Sequence, residues 1–476
     1  MQNITIEPEE SCSLNNPEAA KISEAIPRVY TIVDLFAGCG GLSLGFENSG
    51  FTSVFVNELN DDALSTYLLN RHHYLGGLKF SDNPSLRCND AHELDAKRLV
   101  QLKSDLSVIP EIDLKFEKPQ NSQNGGGSTL DVIAGGPPCQ GFSGIGHRRS
   151  YAVDKEMLPS NHLYQRMASI IRDLRPRIFL FENVRGLLNA KWTKDGGEPI
   201  WPDVLKEFRN IAGYEVRWRL VYAKDYGVPQ NRPRVLMVGI RKDIVNGNPM
   251  LDPKADPDDA IKCGFLPQSG EQTPPDMVDL LDDLVDPAIL EVLLSGNYPL
   301  GRFANDQYPS KPKTRIQKMM RRTPHFMKKN ASVELTEQEY SKHAPLIVEK
   351  FAHMLANEGH IPEFFKTKKF AQRVLPARWD AQGPTITATS MPDDNVHYSQ
   401  PRVLTVREWA RLQLFPDWYQ FAGKRTTGGI RRAGNPLAGL FEREVPKYTQ
   451  IGNAVPVGLA ESVGKHFIKI LNSYLG

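Results

Sequence analysis

The sequence predicts a doubly wound α/β fold, and three observations carry that prediction. From Tyr30 to about Arg241, apolar β-rich runs (YTIVDLF, TSVFVNEL, LDVIAGG, RIFLFENV, YEVRWRLVYA, RVLMVGIR) alternate with helix-like segments such as Leu163 to Leu174 and Asp203 to Ala212. That alternation marks strands joined by helical crossovers in a mostly parallel sheet. The first run ends in a glycine-rich turn, Gly38-Cys39-Gly40-Gly41, which opens a helix closing near Gly50. Acids, a cysteine and arginines flank the later runs, where the carboxyl edge of such a sheet gathers its ligands.

Taken in order, the first 29 residues are polar and acidic (EPEESCSLNNPEAA) and read as a loose tail. The α/β domain is expected over 30–242. Within it, the stretch from about Asp82 to Thr129 holds a charged segment and then NSQNGGGS, a composition suited to a flexible surface loop, and it is expected outside the core. The α/β rhythm disappears at about residue 243, so a second, smaller domain is expected over 243–400. That domain is acidic between Leu251 and Glu291 (DPDD, DLLDDLVD), then basic from Arg302 to Lys329, with Phe303, Tyr308, His325 and Phe326 interleaved. Residues 401–476 complete the first domain. There Thr405-Val406-Arg407-Glu408 is a capping box opening an apolar helix (WARLQLF) that stops before Pro416, and a last helix runs from about Pro456 to Leu471.

With 476 residues, 40% hydrophobic and 24% charged, the chain has the composition of a soluble globular protein of two or more domains. Its five cysteines (Cys12, Cys39, Cys88, Cys139, Cys263) leave one unpaired in any disulfide scheme. They show neither CxxC spacing nor a neighbouring His cluster, so no disulfide framework and no metal site are expected. No apolar run approaches the roughly 20 residues of a spanning helix, and no apolar signal region opens the chain. A cytosolic protein with reduced thiols is expected. A formal charge of +2 is weak, so a polyanion has to be met by a local patch.

The turn Asp34-Leu35-Phe36-Ala37-Gly38-Cys39-Gly40-Gly41 lets a ligand approach the backbone closely. Its spacing is not GxGxxG and it has no Walker lysine, which favours a ligand without phosphates. Glu58, ending the second run, can accept both hydroxyls of a ribose, and Asp90 can accept an adenine amino group. Singly, each of these is equally a structural glycine or a solvated acid, but they follow one another along one α/β unit.

Cys139 follows two prolines in Gly135-Gly136-Pro137-Pro138-Cys139-Gln140-Gly141-Phe142-Ser143. The prolines stiffen the turn and so aim the sulfur, although a free cysteine beside a strand is commonly an inert core residue. The run ending in Glu182-Asn183-Val184 brings an acid to the same edge, and Gln230-Asn231-Arg232-Pro233-Arg234 brings two guanidinium groups. A thiol, a carboxyl and an arginine suit a reaction in which sulfur adds to an electron-poor ring, the acid engages a ring nitrogen and the arginine holds a carbonyl oxygen.

At these residues the chain resembles the cytosine-C5 DNA methyltransferases from Thr31 to the final helix, outside the tail, the Gly/Ser loop and most of the middle domain. DLFAGCGG resembles the family's S-adenosylmethionine loop, GGPPCQGFS its catalytic loop, FENV its second catalytic motif and QNRPR its arginine motif. RVLTVREWARLQLFPD resembles the segment that orients the target-recognition domain, and QIGNAVPVGLA the late motif that returns to the cofactor. The resemblance implies an S-adenosylmethionine-dependent methyltransferase sheet with a smaller target-recognition domain. It implies that Cys139 attacks C6 of a flipped cytosine, Glu182 engages N3 and Arg234, with Arg232 beside it, serves O2. It further implies cofactor contacts from Phe36, Gly38, Gly40, Glu58, Asp90, Pro138 and Asn453. The sequence departs from the family where Asn89, not glycine, precedes Asp90, and where KEMLPSNHLY (Lys155 to Tyr164) replaces an arginine-containing stretch.

The implied partner is double-stranded DNA, with Gln140 and Ser143 in the catalytic loop among its contacts. Lys and Arg from Arg302 to Lys329, and later Lys366, Lys368, Lys369, Arg373 and Arg378, are candidates for its phosphates. Arg315, Arg321 and Arg322 are candidates for reading guanine, and the acidic stretch is expected to face away. Thr385 resembles a recurring threonine near the flipped nucleotide. The expected protein is a monomeric, site-specific modification enzyme, paired with a separately acting restriction endonuclease. Two other readings stay open: a tRNA methyltransferase on this scaffold, whose Cys-Phe-Thr tripeptide is absent, and a non-catalytic DNA-binding homologue, which would have lost Cys139, Glu182 or Arg234.

Overall fold

The computed structural model describes residues 28–116, 127–138, 159–193, 197–270, 272–328, 331–366, 372–380, 383–386, 394–427 and 444–475. Its central sheet has seven strands: β1 (Tyr30–Leu35), β2 (Phe51–Asn57), β3 (Arg87–Cys88), β4 (Val132–Gly135), β5 (Ile178–Val184), β6 (Tyr214–Tyr222) and β7 (Pro233–Arg241). They lie in the order β3-β2-β1-β4-β5-β7-β6. Neighbours are parallel except that β7 runs antiparallel to both β5 and β6. The expected doubly wound architecture is therefore present, with each long run of the sequence forming a strand.

Both faces of the sheet are covered, which is why its strands are apolar at consecutive positions rather than at alternate ones. Ile32, Val132, Ala134, Ile178 and Leu180 point to one face, under α1 (Gly41–Ser49) and the C-terminal helices. Val33, Ile133, Phe179 and Phe181 point to the other, under α3 (Ala96–Ser107), α4 (Leu163–Leu174) and α5 (Ile200–Arg209). Helix α4 buries Met167, Ile170, Ile171 and Leu174, the spacing of one helical face. Between β2 and β3 lies α2 (Asp61–Leu69), capped by the Asn60 side chain on the Ala63 N–H.

Two stretches differ from their expected placement. Residues 82–116 are part of the core: Leu86, Leu94, Leu99, Leu102, Leu106, Ile109, Ile112 and Leu114 are all buried. The sparse apolar residues of α3 recur on one face of a helix that Asp95 caps, and a charged composition hid that stripe. Nor does packing change at residue 243. Leu251, Ala260, Cys263, Phe265, Leu266, Leu280 and Leu284 join the same cluster as β1 and the last helix, and Trp218 of β6 exchanges backbone hydrogen bonds with Asp258 and Ala260. Separate small cores begin only with α6 (Pro287–Ser295). One holds Ile289, Leu293, Phe303, Tyr340 and Val348, and another Phe351, Met354, Val396 and Val403. The basic run contributes α7 (Arg315–Met320), and α8 (Pro345–Ala356) bridges the two small cores.

The chain then returns to the sheet. The capping box at Thr405 and Glu408 forms as expected and opens α9 (Val406–Arg411), which ends sooner than its apolar run because Leu414 adopts φ 61 before Pro416. Helix α10 (Lys447–Asn453) leads into α11 (Val457–Leu475), which packs along α1. Gly45 of α1 makes this possible, since a Cβ there would lie 2.5 Å from the Ala460 Cβ and 2.6 Å from the Val457 carbonyl. We expect Gly45→Ala to lower stability by about 1–3 kcal/mol through overpacking, read as a lower denaturant midpoint at unchanged slope.

Candidate functional site

The carboxyl ends of β2, β1, β4 and β5 and the start of β7 form one edge, and most of the sequence-derived residues lie along it. After β1, Phe36 and Gly38 both take a positive φ of 56 and Gly40 one of 83, so the chain makes a tight left-handed turn that is costly at a bulky residue such as Phe36. Glu58 holds this turn open from the end of β2: one carboxylate oxygen accepts the Gly38 N–H at 2.8 Å and the other the Asn60 N–H at 2.8 Å. Each oxygen keeps further lone-pair capacity. Burial raises the Glu58 carboxyl above its ordinary value, against those two N–H groups. Among the described residues nothing stands within 4 Å of a Cβ built on Gly38, so that side of the turn leaves room for a ligand. Leu59, 69% exposed beside Glu58, offers an apolar surface to a flat ring and was not singled out in the sequence.

Gly40 faces inward, where a Cβ would lie 2.8–2.9 Å from Tyr67, Arg71 and the Tyr419 hydroxyl. Arg71, also missed in the sequence, is the strut beneath the turn. Its guanidinium reaches Glu47 at 3.1 Å, Ser43 at 2.7 Å, the Gly40 carbonyl at 3.3 Å and Tyr419 at 2.8 Å. The departure at Asn89 has a local reason. Its amide donates to Asp61 at the start of α2, and its carbonyl accepts the Asn57 amide, tying β3 to β2. Asp90 follows, half-buried, its side chain accepting the His92 N–H at 2.9 Å. Asn453 is exposed at the end of α10, close to this loop, because Gly41 abuts the Val455 carbonyl.

Beneath the turn, Asp34 is wholly buried, and among the described residues no donor reaches hydrogen-bond geometry on either carboxyl oxygen. Burial raises its pKa to about 7, with Ser43 and Arg71 pulling back and Glu47 and Glu58 adding to the rise.

At the reactive end, β4 delivers Gly136-Pro137-Pro138 beside β5. The Asn183 amide donates to the Pro137 carbonyl at 3.1 Å. Gly136 lies against Glu182, whose Oε2 would be 2.6 Å from a Cβ there. Glu182 pairs in register with Leu236 and Val184 with Arg234, so Glu182 and Arg234 are diagonal neighbours on one face of an antiparallel pair. Their side chains form an ion pair at 2.5 Å, both nearly inaccessible. Burial raises the Glu182 carboxyl above its ordinary value, against the opposing pull of Arg234 and Arg232. Burial and the two guanidinium groups thus act on this carboxyl in opposite directions, with burial the larger. Arg232 donates to the carbonyls of Gly452 at 2.6 Å and Ala454 at 3.2 Å, and its Nε and other Nη find no acceptor among the described residues. Cys139, Gln140 and Ser143 lie outside the described residues, as do Lys329, Lys368, Lys369 and the first four residues (155–158) of KEMLPSNHLY.

Thr385 comes to this edge too: its hydroxyl donates to the Asn231 carbonyl at 2.7 Å, and the Asn231 N–H donates to Pro384 at 2.9 Å. The three arginines proposed as readers separate. Arg315 and Arg322 are exposed, whereas Arg321 is turned inward over the Tyr308 ring at 3.5 Å and is paired with the buried Asp283. Asp283 and Asp417 in turn grip Arg411, which is wholly buried. Much of the acidic stretch is thus engaged with protein cations, Asp258 with Arg209 and Asp259 with Arg219 included.

Residues 30–469 match the family of C-5 cytosine-specific DNA methylases. The Type II methyltransferase M.DdeI of Desulfomicrobium norvegicum is 28% identical over 447 residues, which is 91% of this chain and 87% of the relative. The Type II methyltransferase M.Eco47II of Escherichia coli is 27% identical over 470 residues, 96% of this chain and 82% of the relative. Among solved structures, a DNA modification methyltransferase encoded within an E. coli prophage shares the fold. Its TM-score is 0.60 at 22% identity, over 93% of this chain and 99% of that one.

Two outcomes follow from the geometry. Gly136→Ala should displace the Glu182 carboxylate and lower turnover on the order of 10-fold or more with the melting temperature little changed, checked by steady-state kinetics. The folded Asp34 carboxyl keeps its proton to about 7, against 3.8 ordinarily. Stability should therefore fall as pH rises through that window and level off above it, a loss on the order of a few kcal/mol. Denaturation against pH should show Asp34→Asn without that decline, more stable than the parent at pH 8 and level with it near pH 4.

Proposed function

The chain belongs to the C-5 cytosine-specific DNA methylases and is a DNA (cytosine-5) methyltransferase; from that premise we propose that it works through Cys139 on a cytosine turned out of the duplex, with S-adenosylmethionine as donor. The observation that carries this reading is the buried Glu182–Arg234 pair beside the Gly136-Pro137-Pro138 turn, which hands the chain on to Cys139. The Cys139 thiolate adds to C6, forming the S–C6 bond and moving an electron pair toward C5 and N3. Glu182 donates a hydrogen bond or its proton to N3, and Arg234 holds O2, so the charge that develops on the ring is met by fixed groups. Once the methyl group has passed to C5, leaving the donor sulfur as a neutral thioether, a base takes the C5 proton, the C5–C6 double bond re-forms and the S–C6 bond breaks to release the product and the Cys139 thiolate. The three thiols among the described residues support this assignment by their placement. Cys39, Cys88 and Cys263 are buried, and burial pushes Cys39 and Cys88 up to about 12, far from thiolate at neutral pH.

The cofactor groove suits a nucleoside without phosphates. Glu58 has acceptor capacity to spare, Gly38 faces space that no described residue fills, Leu59 is an exposed apolar cover, and DLFAGCGG has no cation. Glu58 would hold the ribose and Asp90 the adenine amino group. Phe36, Leu59, Gly38, Pro138 and Asn453 would line the groove, with Gly40 shaping it from below. Bound there, S-adenosylmethionine supplies a methyl group made electrophilic by its sulfonium.

We assign target recognition to the region from about Asp286, where the separate small cores begin, rather than from residue 243. Thr385 lies with the catalytic motif, Arg315 and Arg322 are available to DNA, and Arg321 serves as internal support. The relatives that carry Type II names favour a modification enzyme that protects sites from a separate endonuclease. Every group named comes from one chain, so a monomer suffices, working in the cytosol where DNA is at hand.

Labelled-methyl transfer to duplex DNA should proceed with the parent and fall to background with Cys139→Ser. DNA containing 5-fluorocytosine at the target, which cannot lose a C5 proton, should trap a covalent adduct in the parent alone. Transfer or trapping retained in Cys139→Ser would place the nucleophile elsewhere.

A further inference from the structure

We propose that Gln230 and Gln413 are positioning residues for methyl transfer, a buried amide pair that holds the arginine motif, the Thr385 strip and the turn bearing Asn453 as one rigid unit. Both side chains are wholly buried. The Gln230 Nε2 donates to the Gln413 Oε1 at 2.6 Å and to the Leu412 carbonyl at 3.1 Å, while its Oε1 accepts the Ile386 N–H at 3.4 Å. The Gln413 Nε2 donates onward to the Ile451 carbonyl at 2.7 Å, and its backbone carbonyl accepts the Val457 N–H at 3.0 Å. Four chain segments thus meet on two amides: the run into β7, the strip 384–386, the end of α9 and the α10–α11 turn.

The chemistry of an amide makes this pair hard to replace. Gln230 spends both of its N–H donors on oxygens and its oxygen on an N–H, so its orientation is fixed, since a flip would set oxygen against two oxygens. Neither a carboxylate nor an apolar side chain reproduces that pattern, and a buried donor or acceptor left without its partner is costly. The unit bears directly on the reacting groups. Asn231, next along the chain, exchanges bonds with Pro384 and Thr385. Arg232 grips the carbonyls of Gly452 and Ala454 on either side of Asn453, and Arg234 carries the pair with Glu182. Slack at Gln230 or Gln413 would reach the arginine, the threonine and the cofactor-side turn together, and small misplacements of reacting groups are expensive in rate.

The inference rests on Glu182 and Arg234 facing the cytosine. Full-length Gln413→Leu, Gln230→Glu and Glu182→Gln would be compared for melting temperature, kcat, KM for duplex DNA and KM for S-adenosylmethionine between pH 5.5 and pH 8.5. We expect Gln413→Leu to lose about 10-fold or more in kcat at a temperature where it remains folded. Gln230→Glu gives a pH signature: protonated, it donates one hydrogen bond and accepts that of Ile386, but ionised it sets a carboxylate oxygen against the Leu412 carbonyl and the Gln413 Oε1. Its kcat should therefore fall as pH rises relative to the parent, and this variant decides the matter if Gln413→Leu does not fold. If both variants keep kcat within twofold of the parent across the pH range and lose only melting temperature, the pair is merely structural and the inference fails. Activity retained by Glu182→Gln instead overturns the reading of the catalytic pair on which it rests.

Discussion

An acid and a guanidinium sharing a dry edge set the terms for the rest of this molecule. Two charges taken out of water are tolerated only when each is the other's partner and their remaining bonds are met. Glu182 and Arg234 meet that condition because the last long strand of the sheet runs backwards. In an all-parallel sheet the start of a strand lies at the edge away from the ligands, and the reversal of β7 carries its first residues to the working edge. The one irregularity in strand direction is therefore where the chemistry is gathered. Gly136 is small because the carboxylate needs its space, Asn183 holds the proline turn in place, and Arg232 fastens the far side of the motif to the C-terminal turn.

How far this could be read from the sequence depends on the range over which each signal acts. Apolar runs and capping residues are local, so the six long strands, α4 and the capping box at Thr405 were all legible. Helix α3 was not, since three buried leucines among lysines and acids are outweighed by composition over the same window, although their spacing was there to see. Glu58, Asp90, Cys139, Glu182 and Arg234 stand out as candidates because each lies beside an apolar run or in a stiff turn. Arg71, Gln230 and Gln413 do not. Their significance comes from partners as far as 348 residues away, in the case of Arg71 and Tyr419, and nothing in their own neighbourhood announces it.

The charged blocks of the middle region teach a related lesson. An acidic run followed by a basic one reads as two solvated faces, yet Asp283 is wholly buried between Arg321 and Arg411, and Asp417 receives both Arg411 and the Tyr308 hydroxyl. Arg402 and Glu408 form a further buried pair in the same segment. These are charge-assisted, multiply bonded contacts, directional in a way that apolar packing is not. They fasten the part of the chain that varies in character to the part that bears the site.

The embrace of α1 by α11 gives the order of synthesis a physical meaning. Helix α1 is made within the first fifty residues of the chain and its covering helix within the last twenty. Until α11 leaves the ribosome, the side of α1 that carries Gly45 and Phe46 lacks Ala460 and Phe467, against which it packs. The Gly-rich turn likewise waits for Tyr419, whose hydroxyl donates to the Cys39 carbonyl at 2.5 Å. A nascent or prematurely ended chain is thus left with a sticky, unfinished surface, the kind that chaperones and proteases recognise. The contacts between α1 and α11 thus make the turn that bears the site depend on residues about 400 positions further along the chain.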